Sequence, residues 1–421
     1  MYKVAPQTAA TGAVPDTAAH GPNYSTAEAV YGSRGLLILL VCITGLGPLA
    51  MSSFIPAIPA IQEEFGVSRT LSQLTLSVSL FFMAAGSLVY GALADRLGRR
   101  PVILTGVALA VVGSVICALA TNIWLVIIGR AIQASGSTVG FSLSRVVVRD
   151  VYGDEKSSSL LGYISAAMML APVMGPFIGG YLIEYFSWHY NFVVVGSIAA
   201  VLFVGLWLRL PETRPEGVEG DPQLVPWARF AELLRRRPFR RMVIYGSALQ
   251  GTFMAFLAAA PYLITQYYGL PASSYGFYFF GVPLGFFVGS LIAARFGTLF
   301  TQRGLIFWGA AGSVVACALA FTLSTGIDVG PWGVFAPIAL MTVAQASAYP
   351  ALQVRLLTAS QPHSGSGSGC FSAIQLMAGG VLAQLVGATL FLGVAGVTGI
   401  MLLCSAVAMW VVLTRRPEPA A

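Results

Sequence analysis

Twelve times between Leu36 and Thr414 the chain runs for about 20 residues with almost no charge, the length an α-helix needs to cross a hydrocarbon layer of about 30 Å. The runs fall near 36–60, 72–94, 102–120, 123–147, 158–183 and 190–208, and again near 242–266, 274–296, 304–325, 333–356, 368–392 and 394–414. In a bilayer such segments must satisfy their own backbone N–H and C=O groups, so the expected fold class is all-α and integral to the membrane. Composition supports the same conclusion, because 57% of the residues are hydrophobic and 9% are charged, against about a quarter charged in a soluble domain. The 47 glycines and 23 prolines suit a set of spanning helices whose backbones approach closely.

The polar stretch "RLPETRPEGVEGDPQ" and the basic amphipathic "WARFAELLRRRPFRR" interrupt the series after the sixth run. The expected organisation is a disordered tail (1–35), a six-helix bundle (36–208), a linker (209–241), a second six-helix bundle (242–414) and a short tail (415–421). Basic residues collect on the cytoplasmic side of membrane proteins. With the N-terminus inside, 21 of the 23 lysines and arginines fall on that side, Arg69 alone falls in an outer loop, and Arg130 lies within the fourth span. Both termini are therefore expected in the cytoplasm. The run Arg235–Arg241 reads as an anchor on anionic lipid, not as a nucleic-acid site. The Asn23-Tyr24-Ser25 sequon in a cytoplasmic tail reads as chance. Five cysteines without recurring spacing give neither a disulfide framework nor a metal site. His20, His189 and His363 fall in the tail or loops, so no catalytic set is expected at depth, and the chain reads as no enzyme. "HSGSGSGCFSAIQ" lacks the lysine of a phosphate-binding loop, and no cofactor is expected.

Three motifs carry a family resemblance. "GSLVYGALADRLGRRP" places an acid, Asp95, at a membrane edge otherwise kept basic. Its pattern of Gly91, Leu93, Asp95, Arg96, Gly98, Arg99 and Arg100 resembles the signature of the major facilitator superfamily between spans two and three. "GRAIQASG" in the fourth span is similar to a second family motif, with Ala134 in place of a glycine. "GYISAAMMLAPVMGPFIGG" in the fifth is similar to the motif of the family's exporters through Gly175, Pro176, Gly179 and Gly180, with Ala171 in place of its middle glycine. Further stretches ("GPLAMSSFIPAIP", "VVVRDVYG", "WLRLPETRP") make the chain similar to the Bcr/CflA group of bicyclomycin and chloramphenicol exporters. The resemblance implies two pseudo-symmetric six-helix bundles and a monomer in the bacterial inner membrane. It further implies export of small drug-like molecules or metabolites by alternating access, in exchange for protons. Asp95 would act as an inner gate latch on the opposite half.

Arg130 and Gln133 are three apart and share one helix face. A guanidinium in hydrocarbon costs at least a few kcal/mol unless it meets a wet cavity or a partner, so Arg130 is expected to point inward. Pro48, Pro56 and Pro59 mark span one as a discontinuous helix beside the cavity, with Ser52, Ser53 and Phe54 on its wall. Relatives of this group commonly carry a carboxylate in that span, where this chain has Ser52, and none of its sixteen acids falls in the middle of a span. Two readings stay open. Proton coupling runs through an edge acid (Glu63, Glu64, Asp95 or Glu184) or the substrate's own proton. Alternatively, Arg130, which does not deprotonate, attracts an anionic or zwitterionic substrate to a facilitator or exchanger. In the second half, Gln250, Phe253 and Met254 share a face of span seven, with Tyr278 in span eight, Gln345 and Tyr349 in span ten, and Gln375 in span eleven. The glutamines are the stronger candidates because a lipid-facing amide is costly.

Overall fold

A computed structural model describes residues 34–214, 227–296, 299–326, 329–361 and 363–414. The N-terminal tail, part of the linker, the C-terminal tail, Thr298 and Asp328 lie outside the described residues. The first half comprises α1 (Arg34–Phe54), α2 (Ile58–Phe65), α3 (Arg69–Leu97), α4 (Arg99–Ala118), α5 (Ile123–Tyr185) and α6 (Trp188–Arg209). A linker helix, α7 (Trp227–Arg235), precedes α8 (Arg237–Tyr262), α9 (Ser274–Phe279), α10 (Gly281–Phe296), α11 (Gln302–Gly326), α12 (Trp332–Ser360), α13 (Ser364–Thr389) and α14 (Gly393–Leu413). Among the described residues there is no strand.

Local chemistry sets the boundaries. Ser68 and Asn122 accept the backbone N–H of Leu71 and Leu125, capping α3 and α5, as short polar side chains do at helix starts. Span one is discontinuous, as its prolines predict: α1 stops at Phe54, a 3-10 segment spans Ile55–Ala57, and α2 starts at Ile58. Pro56 and Pro59 occupy the first turns of the 3-10 segment and of α2, positions where the missing N–H has no intrahelical partner to lose, while Pro48 lies inside α1. Arg34–Phe65 is still one apolar column of 32 residues.

The 63 helical residues of α5 would measure about 95 Å if straight. They do not run straight: Arg145 donates to the sulfur of Met168 at 3.3 Å, and both the Gly140 and the Gly175–Gly179 regions abut α1. The chain reverses between these points, giving the fourth and fifth crossings as two arms. The apolar segment Ser366–Leu413 is likewise divided, by a 3-10 turn at Leu390–Leu392 and by Gly393 at φ 65°. Taken with the other spans, these give twelve crossings.

Arginines from the α3–α4 turn, from the far end of the first α5 arm, and from α7 and the start of α8 collect at one end of the molecule. At the opposite, arginine-poor end, a single apolar cluster joins the halves: Phe54, Ile58, Leu76 and Leu80 pack with Met254, Phe256, Tyr262 and Phe335. At the arginine-rich end the halves keep separate cores. One contains Leu36, Ile43, Val102, Leu143 and Leu206; the other contains Phe239, Tyr245, Ile306, Leu352 and Phe371, with Leu88 of the first half at its edge. Hydrogen bonds between the halves gather at the joined end, including Arg69 to Gln266 Oε1 (3.1 Å) and Ser273 N to Glu184 Oε2 (2.9 Å). Among the described residues, then, the halves share one core at the closed end and keep separate cores at the other, which is the parted end.

Candidate functional site

Arg130 sits on the first arm of α5, 2% exposed, and points into the bundle as its desolvation cost demands. Its Nη1 donates to Gln133 Oε1 at 2.6 Å and to the Ala50 carbonyl at 3.3 Å, and its Cζ lies 4.1 Å over the Phe54 ring. Stacking on an aromatic face suits a weakly hydrated planar cation. Gln133 is oriented in turn by donating to Ser114 Oγ at 2.7 Å, which donates to Ala110 O at 2.7 Å. Close approach of α4 makes this chain of bonds possible, because a Cβ on Gly113 or Gly136 would strike backbone of the facing helix. The guanidinium is not satisfied: its Nε is buried without a hydrogen-bond partner. Among the described residues no carboxylate pairs with Arg130, whereas Arg99 pairs with Asp95 and Asp150. A cavity of about 10 Å³, bounded by Gly47, Met51, Met83, Arg130, Gln133 and Ser137, adjoins it; that is room for about one water.

The structure places Ser52 and Ser53 in a packing seam. Ser52 Oγ lies 2.7 Å from Pro48 O and 3.2 Å from Ala171 O, and Ser53 Oγ donates to Leu49 O at 2.8 Å. The exporter-type glycines of the second α5 arm face them, Gly175 against Ser52 Oγ and Gly179 against the Ser53 carbonyl. Pro176 lies within that arm. Beyond it Gly180 meets Ala272, and Phe177 meets Phe280 edge-on at 6.4 Å, so this arm also touches the second half.

In the second half three glutamines converge on one stretch of α8. Gln375 donates to Gly246 O at 3.1 Å and Gln345 to Leu249 O at 3.4 Å, while Gln250 is half-buried with no described side-chain partner. Phe253 is half-buried nearby. Tyr349, 41% exposed, accepts from Gln353 at 2.7 Å one turn beyond Gln345. Two expected members lie elsewhere. Met254 packs on Gly379 within the cluster that joins the halves, and Tyr278 packs against Trp332 (5.0 Å) and Phe335 (5.8 Å) at the closed end.

At the parted end Asp95 pairs with Arg99 of its own turn, and Arg99 Nε reaches Asp150 at 3.4 Å. The resemblance implied a partner in the opposite half; with the halves apart here, the acid closes on its own half. Glu212, not singled out from sequence, organises this turn: it accepts the N–H of Arg99 (2.8 Å) and Arg100 (3.2 Å), capping α4, and those of Thr213 (3.0 Å) and Arg214 (2.9 Å). Arg214 returns a bond to Arg96 O at 2.6 Å, and Arg100 donates to Trp207 O at 2.9 Å. Gly98 has φ 101°, and a Cβ there would strike the Glu212 carboxylate, whereas Gly91 has open space around it. Only the acid of "LPET", just after a proline at the end of a span, hinted at this cap. Glu212→Ala is expected to lower stability by about 1–2 kcal/mol, the usual cost of losing a helix cap, read as earlier thermal unfolding in detergent.

A sequence profile described as the Major Facilitator Superfamily matches residues 40–354. The chain belongs to the major facilitator superfamily. It is 26% identical to the MFS-type transporter YdgK of Bacillus subtilis over 84% of this chain and 88% of that one. It is 26% identical to Multidrug resistance protein D of Escherichia coli (83% and 88% covered) and 29% identical to a chloramphenicol resistance protein of Pseudomonas aeruginosa (66% and 64%). These relatives agree with the Bcr/CflA drug-exporter type read from the motifs. Among solved structures, a POT family transporter superposes with TM-score 0.72 at 13% identity (90% and 94% covered), and a bacterial homologue of the lysosomal transporter Spinster with 0.68 at 16% (94% and 99%). At that identity they establish the fold alone, the major facilitator arrangement, with which the twelve crossings are consistent. The protein is a multi-pass membrane transporter of small molecules.

Proposed function

We propose that the protein is a monomer in the bacterial inner membrane, both termini cytoplasmic, exporting drug-like molecules or metabolites that carry an anionic or zwitterionic group held by Arg130. The resistance-protein names of its relatives support the cargo class. Positive-inside logic assigns the arginine-rich end to the cytoplasm, so the parted end faces inward and the conformation is the one that loads cargo. The observation that carries the charge preference is the buried Arg130: stacked, bonded only to neutral groups, no acid beside it, one N–H still open. A permanently cationic cargo would meet no fixed neutralising group there.

The proton of an antiport cycle is then carried on the cargo itself or by an edge carboxylate. Of these, Glu64 accepts the Trp188 indole N–H at 2.6 Å and Glu184 the Ser273 N–H at 2.9 Å. The second reading, an exchanger without protons, is favoured by Ser52 lying where the relatives' acid stands, held in the α1–α5 seam. Uptake into reconstituted vesicles decides between them. Carboxylate-bearing or zwitterionic compounds are expected to be transported faster than permanent cations. An imposed pH gradient is expected to drive net uptake; equal counterflow with and without it would replace antiport by exchange.

A further inference from the structure

Among the helices that join the halves at the closed end are α3 and α13. They belong to different bundles, so their seam parts whenever that end opens. On α13, Gly380, Gln384 and Gly387 recur at spacings of four and three, one face of a helix. A Cβ on Gly387 would meet Gln73 Cγ at 2.6 Å, and one on Gly380 would meet the Phe81 ring at 3.0 Å and Ser77 O at 3.3 Å. Between the glycines, Gln384 accepts from Ser77 Oγ at 3.2 Å and donates to Thr70 O at 2.8 Å. Gln73 is fully buried and donates to the Ala258 carbonyl of α8 at 2.6 Å, while its Oε1 is buried with no partner. One residue earlier, Ser72 shares a 2.7 Å bond with Tyr262 of α8.

From this seam we infer that Gln73 and Gln384 are gate residues of the transport cycle, a neutral latch whose closure Gln73 deliberately leaves incomplete. The glycines admit the two amides to backbone contact, and the amides hold the halves by hydrogen bonds that water replaces when the seam opens, so each bond contributes little net preference. The unpaired Gln73 Oε1 bears a desolvation penalty in the closed state alone, which water relieves on opening. The closed state is thus held by packing and drawn toward opening by one oxygen. Gln73→Leu, of similar volume and without that oxygen, is expected to hold the gate shut. Gly387→Leu, which drives a side chain into Gln73, is expected to hold it open.

The test uses a reporter, Leu76→Cys, in the apolar cluster that joins the halves, labelled by a membrane-impermeant thiol reagent in intact cells, with the chain lacking the reporter as the control for its native cysteines. Gly387→Leu is expected to raise reporter labelling by about fivefold or more, a population shift of the usual allosteric size, while turnover falls. Gln73→Leu is expected to lower reporter labelling by about fivefold or more below that of its parent, and to lower turnover. Unchanged labelling in a Gly387→Leu protein present in the membrane overturns the latch. So does a Gln73→Leu protein that labels and turns over like its parent, and this arm decides the matter if Gly387→Leu fails to reach the membrane. The inference takes only its inside and outside from the proposed orientation: if the same changes appear in inside-out vesicles and not in cells, the orientation fails and the latch stands.

Discussion

Arg130→Ala is expected to slow transport of a carboxylate-bearing cargo by about 10- to 100-fold, the value of one charge-assisted hydrogen bond, while the protein remains folded. The two halves of that expectation come from opposite sides of the same burial. A guanidinium at 2% exposure without a carboxylate is held against its desolvation cost by a stack on Phe54 and bonds to Gln133 and Ala50. Replacing an incompletely satisfied buried charge by an apolar group of similar volume is often neutral or stabilising, whereas truncation to Ala also leaves a cavity. Thermal unfolding in detergent is therefore expected to be unchanged or later for Arg130→Met, even as its initial rate in vesicles collapses as for Arg130→Ala. Arg130→Lys keeps the charge but loses the planar stack and the fork of donors, and an intermediate rate is expected. A rate loss accompanied by earlier unfolding of Arg130→Met would make Arg130 a structural residue; an unaltered rate for an anionic cargo would end the charge preference.

The bilayer explains why so much of the fold was legible. Hydrocarbon imposes both a length and an apolar composition on each crossing, so even α5, helical through 63 residues, showed its two crossings as two runs separated by the charged stretch around Asp150–Lys156. The inward aim of Arg130 followed from cost alone. Helix rotation was not legible. Ser52 and Ser53 read as cavity hydroxyls because hydroxyls are polar, yet they bond α1's own carbonyls and pack on Gly175 and Gly179. The discontinuity of span one, by contrast, was legible, because two of its three prolines sit where a 3-10 segment and α2 start. Met254 shares a face with Gln250 but lies at the closed end, as Tyr278 of the next span does, and periodicity carries no depth information. Asp95 and the Gln73–Gln384 seam depend on which end is parted, a property of conformation. Glu212 lay in a polar connection where an acid looks like any solvated residue, and its role appeared only once the start of α4 was seen beside it.

Gly179→Ala is expected to be the most damaging single-methyl change in the exporter-type motif, clearly worse than Gly175→Ala. At Gly179 an added Cβ would overlap the Ser53 carbonyl oxygen and crowd Ser53 Cα at 3.1 Å; both are backbone atoms of α1 and have no rotamer to adopt. At Gly175 the first obstacle is the Ser52 hydroxyl, which turns away at the loss of its 2.7 Å bond to Pro48 O, worth about 1 kcal/mol. Ser52 Cβ at 2.7 Å and the Ser53 backbone N at 2.9 Å remain, a milder overlap than the one with the Ser53 carbonyl oxygen. Overpacking that a side chain cannot relieve costs about 1–3 kcal/mol or more, so both variants are expected to unfold earlier, Gly179→Ala by about 1 kcal/mol more, read as the gap between their thermal unfolding midpoints in detergent. Transport is expected to follow the same order, because the arm displaced by Gly179→Ala carries Gly180 and Phe177 against Ala272 and Phe280 of the other half, and moving it disturbs the surface on which the bundles close. Equal unfolding midpoints for the two variants would mean that α1 and the second arm of α5 part more readily than their glycine-to-carbonyl contact allows, and the seam would lose its place as a fixed wall of the first bundle.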